Sequence, residues 1–251
     1  MSKTYKGQIT NNVVELSLQE EAVGSGFDTP TIVWDDTVNG EIDQVQGDIP
    51  PNWKSFVIKQ LQIGSSCTSI GSGAFNGCIS LTGDLVIPDS VTSIGSYAFY
   101  FCTGFDGSLT IPDSVTSIES KAFYYCTGFD GSLTISDSVT SIGGYAFGRC
   151  GFTGSLTIGN SVTSIGINAF YNCTGFDGSL TISDSVTTIG SYAFLGCSSI
   201  TSVSILATTA PTIGAGAFSS MTTVSPAEMH VPAGATGYAA SYDGLTVVYD
   251  L

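Results

Sequence analysis

The chain has 251 residues, of which 42% are hydrophobic and only 11% charged, and 21 acidic against 6 basic residues leave a net charge of −15. This charge repels phosphate backbones and argues against nucleic-acid binding, while the apolar content suffices for a core and argues against disorder. No apolar run approaches the roughly 18 residues of a membrane span, and one histidine leaves little for acid–base or metal chemistry. We therefore expect no catalytic residues, no cofactor or metal, and no membrane insertion.

The first 60 residues differ from the rest of the chain, because they carry 9 of the 21 acids and 4 of the 6 bases but no repeated motif. Alternating stretches at 13–18 (VVELSL) and 31–36 (TIVWDD) predict β-strands. Pro50-Pro51 marks a break before 56–63 (FVIKQLQI), which is expected to enter the next element. Residues 1–60 are therefore predicted to form a β-rich N-terminal domain or cap of unknown role.

A repeat of 23 or 24 residues organises the rest of the chain. The dipeptide Ala-Phe recurs seven times, from Ala74-Phe75 to Ala217-Phe218, and the cysteines after it keep the same step. The single 23-residue step falls in a loop, since TGFDGSLTI follows Cys126 but GFTGSLTI follows Cys150. One unit cannot bury its own apolar positions, so we expect stacked units to align them into a continuous core.

Each unit divides into three short pieces. SLTI is β-branched and predicts a strand, and VTSIG predicts a second, weaker parallel row on another face. The compact piece before the cysteine, such as GSYAFYFC, is expected to form one turn of 3₁₀- or α-helix. Pro-Asp-Ser and Asp-Gly, which lie between these pieces, are typical of turns.

The pattern I-P-D-S-V-T-S-I-G-x-x-A-F-x-x-C resembles the BspA-like, or Treponema-type, leucine-rich repeat family. It is nearly intact at 87–102 and 111–126, and close variants begin at Ile135, Ile158 and Ile182. The tail resembles the family's closing segment, a strand and a short helix that cap the stack. The resemblance therefore covers roughly residues 61–251.

This resemblance implies a right-handed leucine-rich repeat solenoid over 61–228, built of about 24-residue units. It implies a parallel β-sheet on the concave side, short 3₁₀ or α turns, and capped ends, with 229–251 as the C-terminal cap. It also implies adhesion or protein binding, commonly on bacterial surfaces, and it carries over no catalytic residues.

Two sets of side chains are candidates for ligand contact. Along SLTI, alternation directs leucine and isoleucine inward and serine and threonine outward, so two polar columns are expected to cover the concave sheet. Threonine also simply suits strands, which leaves a structural explanation open. The columns comprise Ser108, Thr110, Ser132, Thr134, Ser155, Thr157, Ser179 and Thr181. The second set is the tyrosines after Ala-Phe, Tyr100, Tyr124 and Tyr171, which are expected to be partly exposed unless they pack between units.

The repeated cysteines and aspartates also have structural explanations. The cysteine column is expected to be buried, with free thiols favoured over disulfides or a metal. Stacked aspartates could bind Ca²⁺, but Asn160 replaces one of them, which favours a role in turns. The two aspartate columns are Asp106, Asp130 and Asp177, and Asp89, Asp113, Asp137 and Asp184.

The sequence thus predicts a non-enzymatic recognition or adhesion module for a protein or glycan. The family resemblance implies an extracellular or surface location, but MSKTYKGQIT has no apolar segment of a signal peptide, so cytoplasmic and virion-associated locations stay open. The alternative is a structural protein of a virion or tail appendage, with residues 1–60 as the docking or oligomerisation end. Ice binding by flat threonine columns is a remoter alternative.

Overall fold

The computed structural model describes residues 4–10, 13–19, 31–34, 41–42, 60–65, 67–79, 81–221 and 227–251. Equivalent strands of successive units pair in parallel and in register, for example Leu109 with Leu133 and Leu133 with Leu156. The chain is therefore a parallel β-solenoid that advances by one unit of 23 or 24 residues at each turn, as the repeat predicts.

The VTSIG pieces form the longest sheet, although the sequence predicts only a weak row there. Its eight parallel strands have two residues each. The isoleucine is buried in the core in every strand of this sheet from Ile70 to Ile189, and Ile213 of the last strand is half-buried against the core. Threonines just before these strands add a side-chain ladder, since Thr140 Oγ1 donates to the Thr116 carbonyl at 3.1 Å. The strands are β4 (Glu41–Ile42), β6 (Ser69–Ile70), β7 (Ser93–Ile94), β9 (Ser117–Ile118), β11 (Ser141–Ile142), β13 (Ser164–Ile165), β15 (Thr188–Ile189) and β17 (Thr212–Ile213).

The SLTI pieces form a second row of parallel strands, divided between a three-stranded and a five-stranded sheet. Leu109 and Ile111 are buried on either side of the exposed Thr110, so the predicted alternation is confirmed. The three-stranded sheet contains β8 (Leu109–Ile111), β10 (Leu133–Ile135) and β12 (Leu156–Thr157). The five-stranded sheet contains β14 (Gly178–Ile182), β16 (Ile200–Ile205), β18 (Glu228–Val231), β19 (Ser241–Tyr242) and β20 (Leu245–Tyr249).

The compact pieces before the cysteines are successive tight turns, and no α- or 3₁₀-helix occurs among the described residues. The N–H of Ala98 donates to the carbonyl three residues back at 3.2 Å, whereas the N–H of Phe99 donates to Ala122 in the next unit at 2.7 Å. A left-handed φ of 59° at Tyr97 and at Phe101 interrupts each turn. The expected one-turn helix does not form because every second N–H bonds the neighbouring unit instead.

The core consists of columns of identical side chains. One phenylalanine of each Ala-Phe pair stacks on the next, with ring centroids 5.1 to 5.7 Å apart and interplanar angles of 3° to 11°. A second column stacks Phe129 on Phe152 at 4.9 Å across the 23-residue step, so the shortened loop leaves the stack intact. The first column is Phe75, Phe99, Phe123, Phe147, Phe170, Phe194 and Phe218.

The N-terminal strands continue the pairing of the stack. The strands expected near 13–18 and 31–36 are present as β2 (Val13–Gln19) and β3 (Thr31–Trp34). β1 (Thr4–Thr10) pairs antiparallel with β2 and parallel with β3, which in turn pairs in parallel with β5 (Gln60–Ile63). β4 likewise pairs in parallel with β6, and the assignment of residues 1–60 as a domain or cap stays a prediction.

The C-terminal segment closes the stack with strands alone. β18 pairs in parallel with β16 and β20, and β19 pairs antiparallel with β20. The short helix that the family resemblance implies is absent from 227–251: Pro232 lacks an N–H, and Gly234 and Gly237 have left-handed φ values of 79° and 81°.

Candidate recognition surfaces

The outward serines and threonines of the SLTI strands form one continuous surface, named here the Ser/Thr face. Thr110, Thr134 and Thr157 pair in register across three adjacent strands, and Thr181 occupies the equivalent place in β14. Thr134 is half-buried and the other three threonines are exposed. The structure therefore brings the predicted residues together in rows.

The serine hydroxyls of this face already form hydrogen bonds to the neighbouring unit. Ser132 donates its N–H to Ser108 Oγ at 3.0 Å, and Ser155 donates its N–H to Ser132 Oγ at 3.1 Å. Ser202 Oγ likewise donates to Ser179 Oγ at 2.7 Å. The threonine hydroxyls of this face make no such bond among the described residues, so they are available to a ligand.

An open groove of about 930 Å³ runs along the Ser/Thr face across four units. Thr110, Thr134 and Thr157 lie along it, and four exposed aspartates line it as well. These carboxylates make the groove negative, a property that the sequence interpretation missed. A detectable pattern was present, because an aspartate stands two residues after the isoleucine of several SLTI strands. The four are Asp84, Asp89, Asp113 and Asp137.

The aspartates also stabilise turns in neighbouring units. Asp137 Oδ1 accepts the N–H of Asn160 at 2.7 Å, and Asp130 Oδ1 accepts the N–H of Gly107 at 2.9 Å. Within the described part of the chain, no three acidic, cysteine or histidine side chains converge in a way that could hold a metal ion. The contacts therefore match the predicted role in turns, with the bonds running between units rather than within one.

The tight turns present a second surface, the tyrosine face, formed by Tyr97, Tyr100, Phe101, Lys121, Tyr124, Tyr125, Tyr145, Arg149 and Tyr171. The predicted Tyr100, Tyr124 and Tyr171 are half-buried because their rings pack on neighbouring ones; Tyr100 and Tyr124 stack at 5.6 Å. Among the tyrosines that precede Ala-Phe, Tyr97, at 39%, and Tyr192, at 46%, are exposed.

A glycine interrupts the column of tyrosines. Gly148 occupies the place of Tyr124 one unit on, and a Cβ there would lie 3.1 Å from the Tyr124 ring. Tyr145 fills the gap edge-on, with its ring centroid 5.6 Å from that of Tyr124 and 6.4 Å from that of Tyr171. The face is therefore a connected array of rings.

Two cations lie within this array, and the sequence interpretation did not identify them as part of a site. Lys121 Nζ lies 5.1 Å from the ring centroid of Tyr97 and donates to its hydroxyl at 3.3 Å. Arg149 Cζ lies 5.6 and 5.5 Å from the ring centroids of Tyr125 and Tyr171. Hydrogen bonding to the tyrosine hydroxyls raises the pKa of both Lys121 and Arg149, so both carry full charge.

The cysteine column is buried, except for the half-buried Cys78 at its start, and all seven cysteines are free. Each thiol from Cys102 onward donates to the carbonyl of a phenylalanine in the preceding unit, as Cys126 Sγ does to Phe99 at 3.1 Å. Burial raises the pKa of Cys78 to about 11 and that of Cys173 to about 12. The thiols are therefore structural donors rather than nucleophiles.

Comparison with known proteins agrees with this architecture. A family model described as the BspA type leucine-rich repeat region matches six copies, over residues 53–176 and 131–233. The chain belongs to this family. The resemblance found in the repeats is thus confirmed, and the structure supplies the geometry of its units.

Several solved structures are similar to this member of the BspA-type family. A leucine-rich repeat protein of T. pallidum is 25% identical, with a TM-score of 0.56 over 74% of this chain and 79% of that one. A leucine-rich cell surface protein of Faecalibacterium prausnitzii is 22% identical, with a TM-score of 0.38 over 90% and 92% of the two chains. The pneumococcal vaccine antigen PcpA is 16% identical, with a TM-score of 0.41 over 81% and 63%.

Comparison with the curated proteins finds no significant match. No helix in the described ranges has the length and apolar character needed to cross a bilayer.

Proposed function

We propose that this chain is a non-enzymatic recognition module that binds a protein or a glycan through the Ser/Thr face. The observation that carries the proposal is the in-register row of Thr110, Thr134 and Thr157 along a groove that crosses four units. A stack of this kind supplies a long, rigid surface, which is how repeat proteins bind their partners. Membership of the BspA-type leucine-rich repeat family supports a protein-binding role.

The chemistry of the groove narrows the class of ligand. Threonine hydroxyls donate and accept hydrogen bonds, and the surrounding aspartates only accept them. A partner with clustered hydroxyls, amides or positive charges complements this surface, whereas an anionic partner is repelled. Membership of the same family leads us to propose that the protein is extracellular or exposed on a surface, since adhesion modules meet such partners outside the cell.

The test replaces two exposed threonines that line the groove, Thr110 and Thr157. We expect Thr110→Arg with Thr157→Arg to lower binding at least about tenfold on a printed array of neutral glycans and on immobilised collagen, laminin and mucin. Thr116→Arg is the matched control, because Thr116 is also exposed but precedes the VTSIG sheet. If the groove variant binds as the unmodified chain does and retains its melting temperature, the Ser/Thr face is not the contact surface.

A further inference from the structure

The tyrosine face concentrates the positive charge of the repeats. From residue 61 to the C-terminus the chain has 12 acidic residues and only two basic ones, Lys121 and Arg149. Both lie on this face, one unit apart along the stack. In the described ranges the ion pairs all involve His230, so no carboxylate neutralises either cation.

The rings around the cations hold them in place without cancelling their charge. Lys121 Nζ lies between the rings of Tyr97 and Tyr145, at 5.1 and 5.7 Å from their centroids. The Nε atom of Arg149 is buried without a hydrogen-bond partner among the described atoms. A cation held by aromatic faces retains its attraction for an anion, because the ring quadrupole contributes no net charge.

The backbone places Lys121 and Arg149 at two positions that do not themselves require a cation. Two positions of each unit have left-handed φ values, 54° to 79°, which glycine and asparagine adopt at the least cost. The chain uses Gly73 and Asn168 at the first position and Asn172 at the second. Other units place a tyrosine or phenylalanine there, and among the described units only Lys121 and Arg149 bring a charge to these positions. The fold accepts glycine, asparagine or an aromatic residue at both, so the charge itself points to a use beyond the fold.

We propose that the tyrosine face binds a saccharide carrying one or two carboxylates, of the uronic- or sialic-acid class. Sugar rings would lie on the exposed parts of the tyrosine rings, which offer apolar faces with polar edges. Each carboxylate would meet Lys121 or Arg149, the latter having the fork geometry that carboxylates fit. The net charge of −15 disfavours a densely sulfated chain, which the aspartates would repel.

This inference goes beyond the proposed function, because it adds a second surface with its own ligand and makes no use of the groove. A second copy of the chain is a poorer partner than a saccharide, because two molecules of −15 repel each other. An acidic peptide would satisfy the cations but leave the row of rings without a counterpart.

The experiment measures binding by calorimetry with sialyllactose, a hyaluronan tetrasaccharide and neutral lactose. We expect at least one acidic saccharide to bind about tenfold more tightly than lactose. Lys121→Asn with Arg149→Asn should abolish this preference and leave the melting temperature unchanged or higher, because asparagine occupies the same two positions at Asn168 and Asn172.

The controls separate this proposal from the one for the groove. Thr110→Arg with Thr157→Arg should leave binding of the acidic saccharide unchanged, so a failure of the groove proposal does not affect this test. The proposal is overturned if no acidic saccharide is preferred to lactose, or if the asparagine variant keeps the preference. It is also overturned if poly-glutamate binds more tightly than either acidic saccharide, or if the variant instead dissociates a dimer of the unmodified chain.

Discussion

At the scale of single residues, side chains of one unit pack against the neighbouring unit and form hydrogen bonds with it. The cysteines are an example, because each thiol from Cys102 onward fills a small buried space and also donates to a carbonyl of the preceding unit. Alanine would fill most of the space but leave that carbonyl with one partner fewer. Repeated cysteine therefore follows from packing and hydrogen bonding within the stack.

The buried thiols make the stability of the fold depend on alkaline pH. In the unfolded chain a thiol has a pKa of about 8.5. In the folded chain, burial raises the pKa of Cys78 to about 11 and that of Cys173 to about 12. Because the folded state keeps protons that the unfolded state loses, this stabilisation is complete below about pH 8.5 and is lost as the pH rises towards the folded values. Urea unfolding at a series of pH values should show this decline.

A variant identifies the source of the decline. Cys173→Ala should make the fall of the unfolding free energy above about pH 8.5 shallower, while Thr116→Ala should leave the slope unchanged. A free energy that stays constant across the alkaline range would contradict the buried, protonated state of the thiols.

At the scale of elements, the three pieces of each unit bond to the next unit on three sides. The SLTI and VTSIG strands do so by parallel pairing, and the tight turns do so through every second N–H. The phenylalanine column fills the space between these sides. A defect in one unit therefore affects the units above and below it.

The phenylalanine column gives a measurable test of this packing. Phe147 is fully buried and stacks on Phe123 and Phe170 at 5.2 and 5.6 Å. Phe147→Ala should lower the free energy of unfolding by about 3–5 kcal/mol, the range for a large cavity in a core. Chemical denaturation measures the change, with Thr116→Ala as the surface control. A loss below about 1 kcal/mol would mean that the column is not tightly packed.

How far the sequence predicts the structure also depends on the element. The outward row of Thr110, Thr134 and Thr157 could be predicted, because alternation along a strand is a local property. The tight turns could not, since Tyr97 and Phe101 adopt left-handed φ values only where every second N–H finds an acceptor in the next unit. The association of Arg149 with Tyr171 also escaped prediction, because it joins side chains of two successive units.

At the scale of the whole molecule, the charges are distributed unevenly over a rigid stack. The Ser/Thr face carries carboxylates and the tyrosine face carries the two cations of the repeats. Although only 11% of the residues are charged, they form one surface lined by carboxylates and another that carries the two cations. Two such surfaces on one scaffold suit two ligands of different charge.

The role of residues 1–60 is best tested by deleting them. The first described strands pair with β5 and β6, so deletion of residues 1–59 should expose two strand edges and cause self-association. Light scattering after gel filtration measures the mass of both proteins. A docking end of a virion or tail appendage predicts the reverse, an oligomeric full chain and a monomeric truncated one.

The central claim is that the Ser/Thr face and the tyrosine face recognise ligands independently. The most direct measurement tests two variants against two ligands. The variants are Thr110→Arg with Thr157→Arg, and Lys121→Asn with Arg149→Asn. The ligands are the best binder from the neutral array and the tighter-binding of sialyllactose and the hyaluronan tetrasaccharide. We expect each variant to lose one ligand by at least about tenfold and to bind the other as the unmodified chain does. If both variants lose both ligands at unchanged melting temperature, or neither loses any, the claim is wrong.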